Sequence, residues 1–186
     1  ALPASPTNTT PVTNQNICVG NSTTLSATST GTINWFTSPT SGASIASGTT
    51  FITPTLSVGT YTYYAESLTC AASATRTSIT VTVNPAPIIS VNSGTMCSGQ
   101  SFTITPSGAS TYTIQGGSAI KTPTANASYT VTGTSSAGCV SSIFATSNVT
   151  VNATPIISVN SGSICSGQSF TITPSGASTY TIQGGS

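Results

Sequence analysis

Charge is almost missing from this chain of 186 residues. Glu66, Arg76 and Lys121 are its only charged side chains, and it contains neither Asp nor His. Without clustered Lys and Arg the surface has nothing to neutralise phosphates, which excludes nucleic-acid binding. General acid–base catalysis needs a positioned group that titrates near working pH, and one carboxylate without His does not supply a pair. A Ser or Thr nucleophile would lack an activating base. Calcium wants several carboxylates, and zinc held by thiolates wants close cysteine pairs that do not occur here. The composition therefore points to a protein that is not an enzyme, with no catalytic, cofactor-binding or metal-binding residues.

Long apolar runs are missing as well. None approaches the ~18 residues that span a bilayer, so membrane insertion is not expected. The opening stretch ALPASPTNTTPVTNQN has neither the basic start nor the apolar middle of a signal peptide. The expectation is a removed leader or a start within a longer polypeptide.

What the chain has instead is hydroxyl groups: 39 Thr and 33 Ser. These must do the solvating that charges do elsewhere. Five cysteines without His favour disulfides over metal, and hence an oxidising, extracytoplasmic setting.

Repetition organises the sequence. PIISVNSGTMCSGQSFTITPSGASTYTIQGGS begins at Pro87 and returns at Pro155, changed only at Thr95/Ser163 and Met96/Ile164. Internal periods of this kind mark stacked modules. The first segment is a divergent relative. Leu25 follows Cys18 at the distance at which Ile104 follows Cys97, and Trp35 corresponds in the same way to Ile114. We therefore expect a linker at 1–11, a first module at 12–84, a second at 85–153, and the first half of a third at 154–186.

Within each module the apolar period is two. Phe102/Ile104, Tyr112/Ile114, Tyr129/Val131 and Val149/Val151 each flank a Thr. That is the pattern of strands with one buried and one wet face, where β-branched Thr fits well. Clusters such as TSPTSGAS serve as turns, and no stretch reads as a helix. The fold class is all-β, as two-sheet sandwiches, with Trp35, Ile114, Leu25 and Ile104 as core positions.

Modules of this size bury a limited core and usually need a covalent staple. Pairing Cys18 with Cys70 and Cys97 with Cys139 gives each module one disulfide, worth about 4 kcal/mol in the chain-entropy model. Trp35 would then pack on the first bond. Cys165 stays unpaired, its mate lying in the other half of a third module. The joints VNPAPIIS and VNATPIIS lack Gly and contain Pro, which stiffens them into a semi-rigid rod.

The residues CVGNSTTLSATSTGTINWF, GTYTYYAESLTC and RTSITVTV, with CSGQSFTITPSGASTYTIQGG in the second module, resemble immunoglobulin-like tandem repeats of giant Bacteroidota surface adhesins. The SprB-like gliding-motility adhesins are the nearest functional analogues. The resemblance implies an immunoglobulin-like sandwich, export by the type IX secretion system and display as a cell-surface filament. It transfers no functional site.

The leading expectation is thus a structural segment of an extracellular adhesin that projects a binding tip. Its surface or polysaccharide ligand would be met by regions outside this segment. One alternative is a subunit of a fibre completed by strand exchange between chains. Edges guarded only by Lys121 and a few prolines make self-association plausible. A carbohydrate-binding module is the other alternative, with Tyr64 and Phe36 exposed while Tyr61 and Tyr63 face the core.

Overall fold

Alternation of apolar and hydroxyl residues along GTYTYYAES and SITVTV suits strands with one buried face. In the computed structural model, which describes residues 2–184, these stretches form the two central strands of the first sandwich. Residues 7–84 supply eight strands: β1 (Thr7–Asn8), β2 (Asn16–Cys18), β3 (Thr24–Thr28), β4 (Thr32–Phe36), β5 (Ala46–Ser47), β6 (Thr50–Ile52), β7 (Gly59–Leu68) and β8 (Thr77–Asn84). The larger sheet has the order β2-β8-β7-β4-β5 and the smaller β1-β3-β6. Every pairing is antiparallel except that of β2 on β8, which is parallel with Cys18 opposite Asn84.

The two sheets meet over one apolar cluster. Leu25 and Ala27 come from β3, and Ile33, Trp35, Tyr63, Ala65, Ile79, Val81 and Val83 from the larger sheet. Trp35 is fully buried, stacks on Phe51 at 5.8 Å between ring centres, and donates its indole N–H to the Gly48 carbonyl at 2.9 Å. Burying a large apolar side chain stabilises by roughly 1.5–3 kcal/mol, so this cluster carries the first sandwich without a disulfide inside it.

Residues 7–10 are bound to the first sandwich: β1 pairs with β3, and the Thr10 hydroxyl donates to the Ser26 carbonyl and accepts from the Ser26 amide. One local expectation, that no stretch reads as a helix, is corrected. A single helical turn, α1 (Val12–Gln15), follows Pro11, whose carbonyl accepts from the Asn14 amide.

Residues 90–152 repeat the plan with β9 (Ser90–Val91), β10 (Gly94–Cys97), β11 (Phe102–Thr103), β12 (Pro106–Ser107), β13 (Thr111–Ile114), β14 (Ile120–Lys121), β15 (Ala127–Thr134) and β16 (Ala145–Asn152). The principal sheet is β10-β16-β15-β13, and the pairs β9–β12 and β11–β14 form the rest. Here too the first-cysteine strand is parallel to the last strand, with Cys97 opposite Asn152. Met96, Ile104, Val131 and Val149 are buried, while Ile114 is half-buried.

Lys121 does not guard an edge. It is buried, donates to the Gln115 carbonyl at 2.6 Å, and lies 4.8 Å from the centre of the Tyr129 ring. The carbonyl and the face of the aromatic ring are both favourable partners for the ammonium.

The third unit begins as the second does. β17 (Ser158–Val159) pairs with β18 (Pro174–Ser175), and the Asn160 side chain bridges Thr171 and Thr173 as Asn92 bridges Thr103 and Thr105. Burial differs. Ile104 is 1% exposed and its copy Ile172 is 45% exposed. In the second unit β14, β15 and β16 follow and complete the sheets around Ile104.

The same substitution should therefore have two different effects. Ile104→Ala should cost about 2–4 kcal/mol through a buried cavity, and Ile172→Ala less than about 0.5 kcal/mol. Urea denaturation of the two variants checks this, and equal losses would contradict the burial contrast.

Alkaline pH offers a second test. Burial, and after it the neighbouring Tyr61, push the Tyr63 phenol above its ordinary value of 10.0. A raised folded-state value means the folded chain holds the proton more tightly. That contribution is complete below pH 10 and is lost as pH rises through the folded value. The melting temperature should fall above about pH 10, and Tyr63→Phe should flatten that fall in thermal scans.

Candidate functional site

The second cysteine of each unit lies in the loop between a long strand and the last one. β7 is antiparallel to β8, with Ala65 opposite Thr77, so Cys70 lies beyond the N-terminal end of β8. Cys18 lies opposite Asn84, at the C-terminal end of that same strand. Thr77 and Asn84 are seven steps apart at about 3.3 Å each, roughly 23 Å. A disulfide needs Cα atoms within about 7 Å.

The expected Cys18–Cys70 bond is therefore replaced. Cys18 bonds Cys139, with the Cα atoms 5.5 Å apart and 121 residues between them in sequence. The expected Cys97–Cys139 bond fails for the same reason: Cys97 is opposite Asn152, while Cys139 lies in the loop before Ala145, at the other end of β16. Cys70, Cys97 and Cys165 are free and exposed. Trp35 accordingly packs against Phe51 and not against a disulfide.

Geometry places Cys139 at the joint. Its Sγ is 3.9 Å from the carbonyl oxygen of Asn84, the last residue of β8, and Val19 donates its amide to that same carbonyl at 2.9 Å. The loop that carries Cys139 is fastened by Ser135 N–H donating to the Cys139 carbonyl and by Gly133 N–H donating to Ser141 Oγ. Gly133 is required there, because a Cβ would lie 2.5 Å from Ile89 and 2.7 Å from Ala109. One signal for this pairing was available in the sequence. The spacing is 52 residues from Cys18 to Cys70 (70 − 18) and 42 from Cys97 to Cys139 (139 − 97), unequal for two copies of one internal bond.

The opposite end of the first sandwich holds the one ion pair among the described residues. Arg76 Nε donates to Glu66 Oε2 at 2.9 Å, and Nη1 donates to the carbonyls of Ser38 and Ser41. The guanidinium also lies 3.3 Å from the centre of the Phe36 ring. The open aromatic platform considered for sugars is thereby closed: Phe36 is buried under Arg76 and Tyr64 is half-buried. Among the described residues no group of three His, Cys, Asp or Glu side chains gathers to hold a metal. Among the described residues no helix is long and apolar enough to cross a membrane.

Residues 3–85 match the family described as Ig-like domain, CHU_C associated. No curated protein matches the chain. Among solved structures, the fibronectin(III)-like modules of Clostridium thermocellum CbhA are similar at 15% identity, over 80% of this chain and 94% of that one, with a TM-score of 0.41. The N-terminal eight Ig domains of Down Syndrome Cell Adhesion Molecule are similar at 12% identity, over 85% of this chain and 28% of that one, with a TM-score of 0.29. The chain is nearly all-β, and its first sandwich is the part that matches an Ig-like family.

Arg76 fastens a loop, a strand and an aromatic ring at once, so its loss should exceed that of its partner. Arg76→Ala should destabilise by about 1–3 kcal/mol, and Glu66→Gln, which keeps an acceptor, by about 1 kcal/mol or less. Chemical denaturation compares the two, and equal effects would show that the ion pair outweighs the carbonyl and ring contacts.

Proposed function

We propose that this chain is a non-enzymatic structural segment of a long extracellular surface protein, built from serial immunoglobulin-like modules that hold a binding region away from the cell. The observation that carries the reading is the Cys18–Cys139 bond, which ties one repeat unit to the next across the joint. A covalent tie between units resists bending and pulling, which is a mechanical role. Nearly charge-free, hydroxyl-rich surfaces suit it, since they change little with pH or salt. The match of residues 3–85 to an Ig-like family found in Bacteroidetes surface proteins supports a cell-surface location. On this reading the finer assignment is a gliding-adhesin-like filament exported by type IX secretion. Its surface or polysaccharide ligand is met elsewhere in the protein.

A second reading has one observation in its favour. Ile157, Val159, Ile172 and Ile182 of the third unit are exposed although their sequence context is that of a core. Strand exchange with a neighbouring chain would cover them, making the protein a fibre subunit that self-associates.

Antibodies raised against residues 1–186 should label intact, unpermeabilised cells of the source organism. The reduced, denatured antigen should run many times heavier than 18.4 kDa. Labelling confined to permeabilised cells would overturn the surface reading. Surface labelling with an antigen near 18.4 kDa would favour the fibre subunit.

A further inference from the structure

Cys97 copies Cys18 in its surroundings but lacks its bond. Both are the last residue of a short strand parallel to the final strand of their unit, opposite Asn84 in one case and Asn152 in the other. In both, the next residue donates its amide to that Asn carbonyl, at 2.9 Å from Val19 and 2.8 Å from Ser98. Both enter a turn closed by an amide donating to the cysteine carbonyl, with a positive-φ glycine in it: Gly20 at 81° and Gly99 at 85°. Cys18 is bonded and Cys97 is free and exposed.

The far side of the second joint is also laid out. Cys139 is held near Asn84 by a loop seated, through Gly133, on Ile89 and Ala109. The copies of those two residues, Ile157 and Ala177, stand in a third unit that reproduces the start of the second. Ala177 N–H bonds the Tyr180 hydroxyl as Ala109 N–H bonds that of Tyr112. A loop cysteine seated on Ile157 and Ala177 would face Asn152 as Cys139 faces Asn84.

We propose that Cys97 is the outgoing half of a second covalent joint, bonding the loop cysteine of a following module of this kind. The bond pattern of such an array links each module to the next and leaves no disulfide within a module. Cys70, in the corresponding loop of the first sandwich, is then an incoming half. The proposal rests on the serial-module reading, but disulfide mapping tests it independently of cellular location.

Forming the bond removes two protons and two electrons from two thiols, and a disulfide such as oxidised glutathione accepts them. The Cys97 thiolate attacks that disulfide and releases one glutathione thiolate. The loop-cysteine thiolate then attacks the mixed disulfide and releases the second.

The test lengthens the full chain. Ser186 corresponds to Ser118, so appending a copy of residues 119–154 completes the third unit and supplies its loop cysteine. The appended copy carries a Ser136→Ala change as a mass tag. The protein is folded in a glutathione redox buffer, alkylated, digested without reduction and mapped by mass spectrometry. Peptides with Cys97 and Cys165 differ at Met96 and Ile164, so they are told apart.

The expected map has Cys18 bonded to Cys139 and Cys97 bonded to the appended loop cysteine, with Cys165 alkylated. Alkylated Cys97 should drop roughly ten-fold or more against the unextended chain, since the partner is tethered. A covalent dimer through Cys97 and Cys70 of another copy would uphold the joint and place its source between chains. A bond from Cys165 to the appended cysteine would overturn the proposal in favour of intramodule pairing, and so would Cys97 left alkylated. The unextended chain gives the second measurement: Cys18–Cys139 upholds the joint chemistry. Cys18–Cys70 or Cys97–Cys139 overturns it even if the longer chain does not fold.

Discussion

Parallel pairing of a short first strand with the end of the last strand is the constraint on which the rest depends. β2 on β8 and β10 on β16 carry the first cysteine of each unit to the residue at which the chain leaves that unit. Both short strands lie along the C-terminal end of the last strand of their unit, away from the loop that carries the second cysteine. The parallel register separates the two cysteines of one unit by the length of a strand. It also brings cysteines of adjacent units together.

The near-absence of charge is met by spending each charged group inward and leaving solvation to hydroxyls. Arg76 and Glu66 close one end of the first sandwich, and Lys121 is buried against Tyr129. Buried hydroxyls act as cross-links: Ser147 donates to the Asn92 carbonyl, Thr23 to that of Asn14, and Ser67 of β7 accepts from the Ser29 hydroxyl in the turn after β3. Among the described residues no buried side-chain nitrogen or oxygen lacks a partner. Such bonds contribute about 1 kcal/mol each, and leaving one unmade would cost more.

Much of the architecture was legible in the residues themselves. A period of two with Thr between apolar positions gave strands, and the copied half gave the repeat. The corrections came where short polar segments were involved. Thr7–Asn8 has no apolar signal, yet it joins a sheet because β3 offers an open edge. Lys121 reads as a surface residue until the Gln115 carbonyl and the Tyr129 ring are brought around it. Phe36 reads as exposed by alternation until Arg76, forty residues on, lies over it.

By itself the sequence determined the all-β class, the repeat and a surface nearly without charge, because these follow from local pattern and composition. Tertiary structure alone decided which cysteines meet. Two thiols bond when their Cα atoms come within several ångströms, and that distance is set by strand direction and register, which the spacing of cysteines along the chain does not encode.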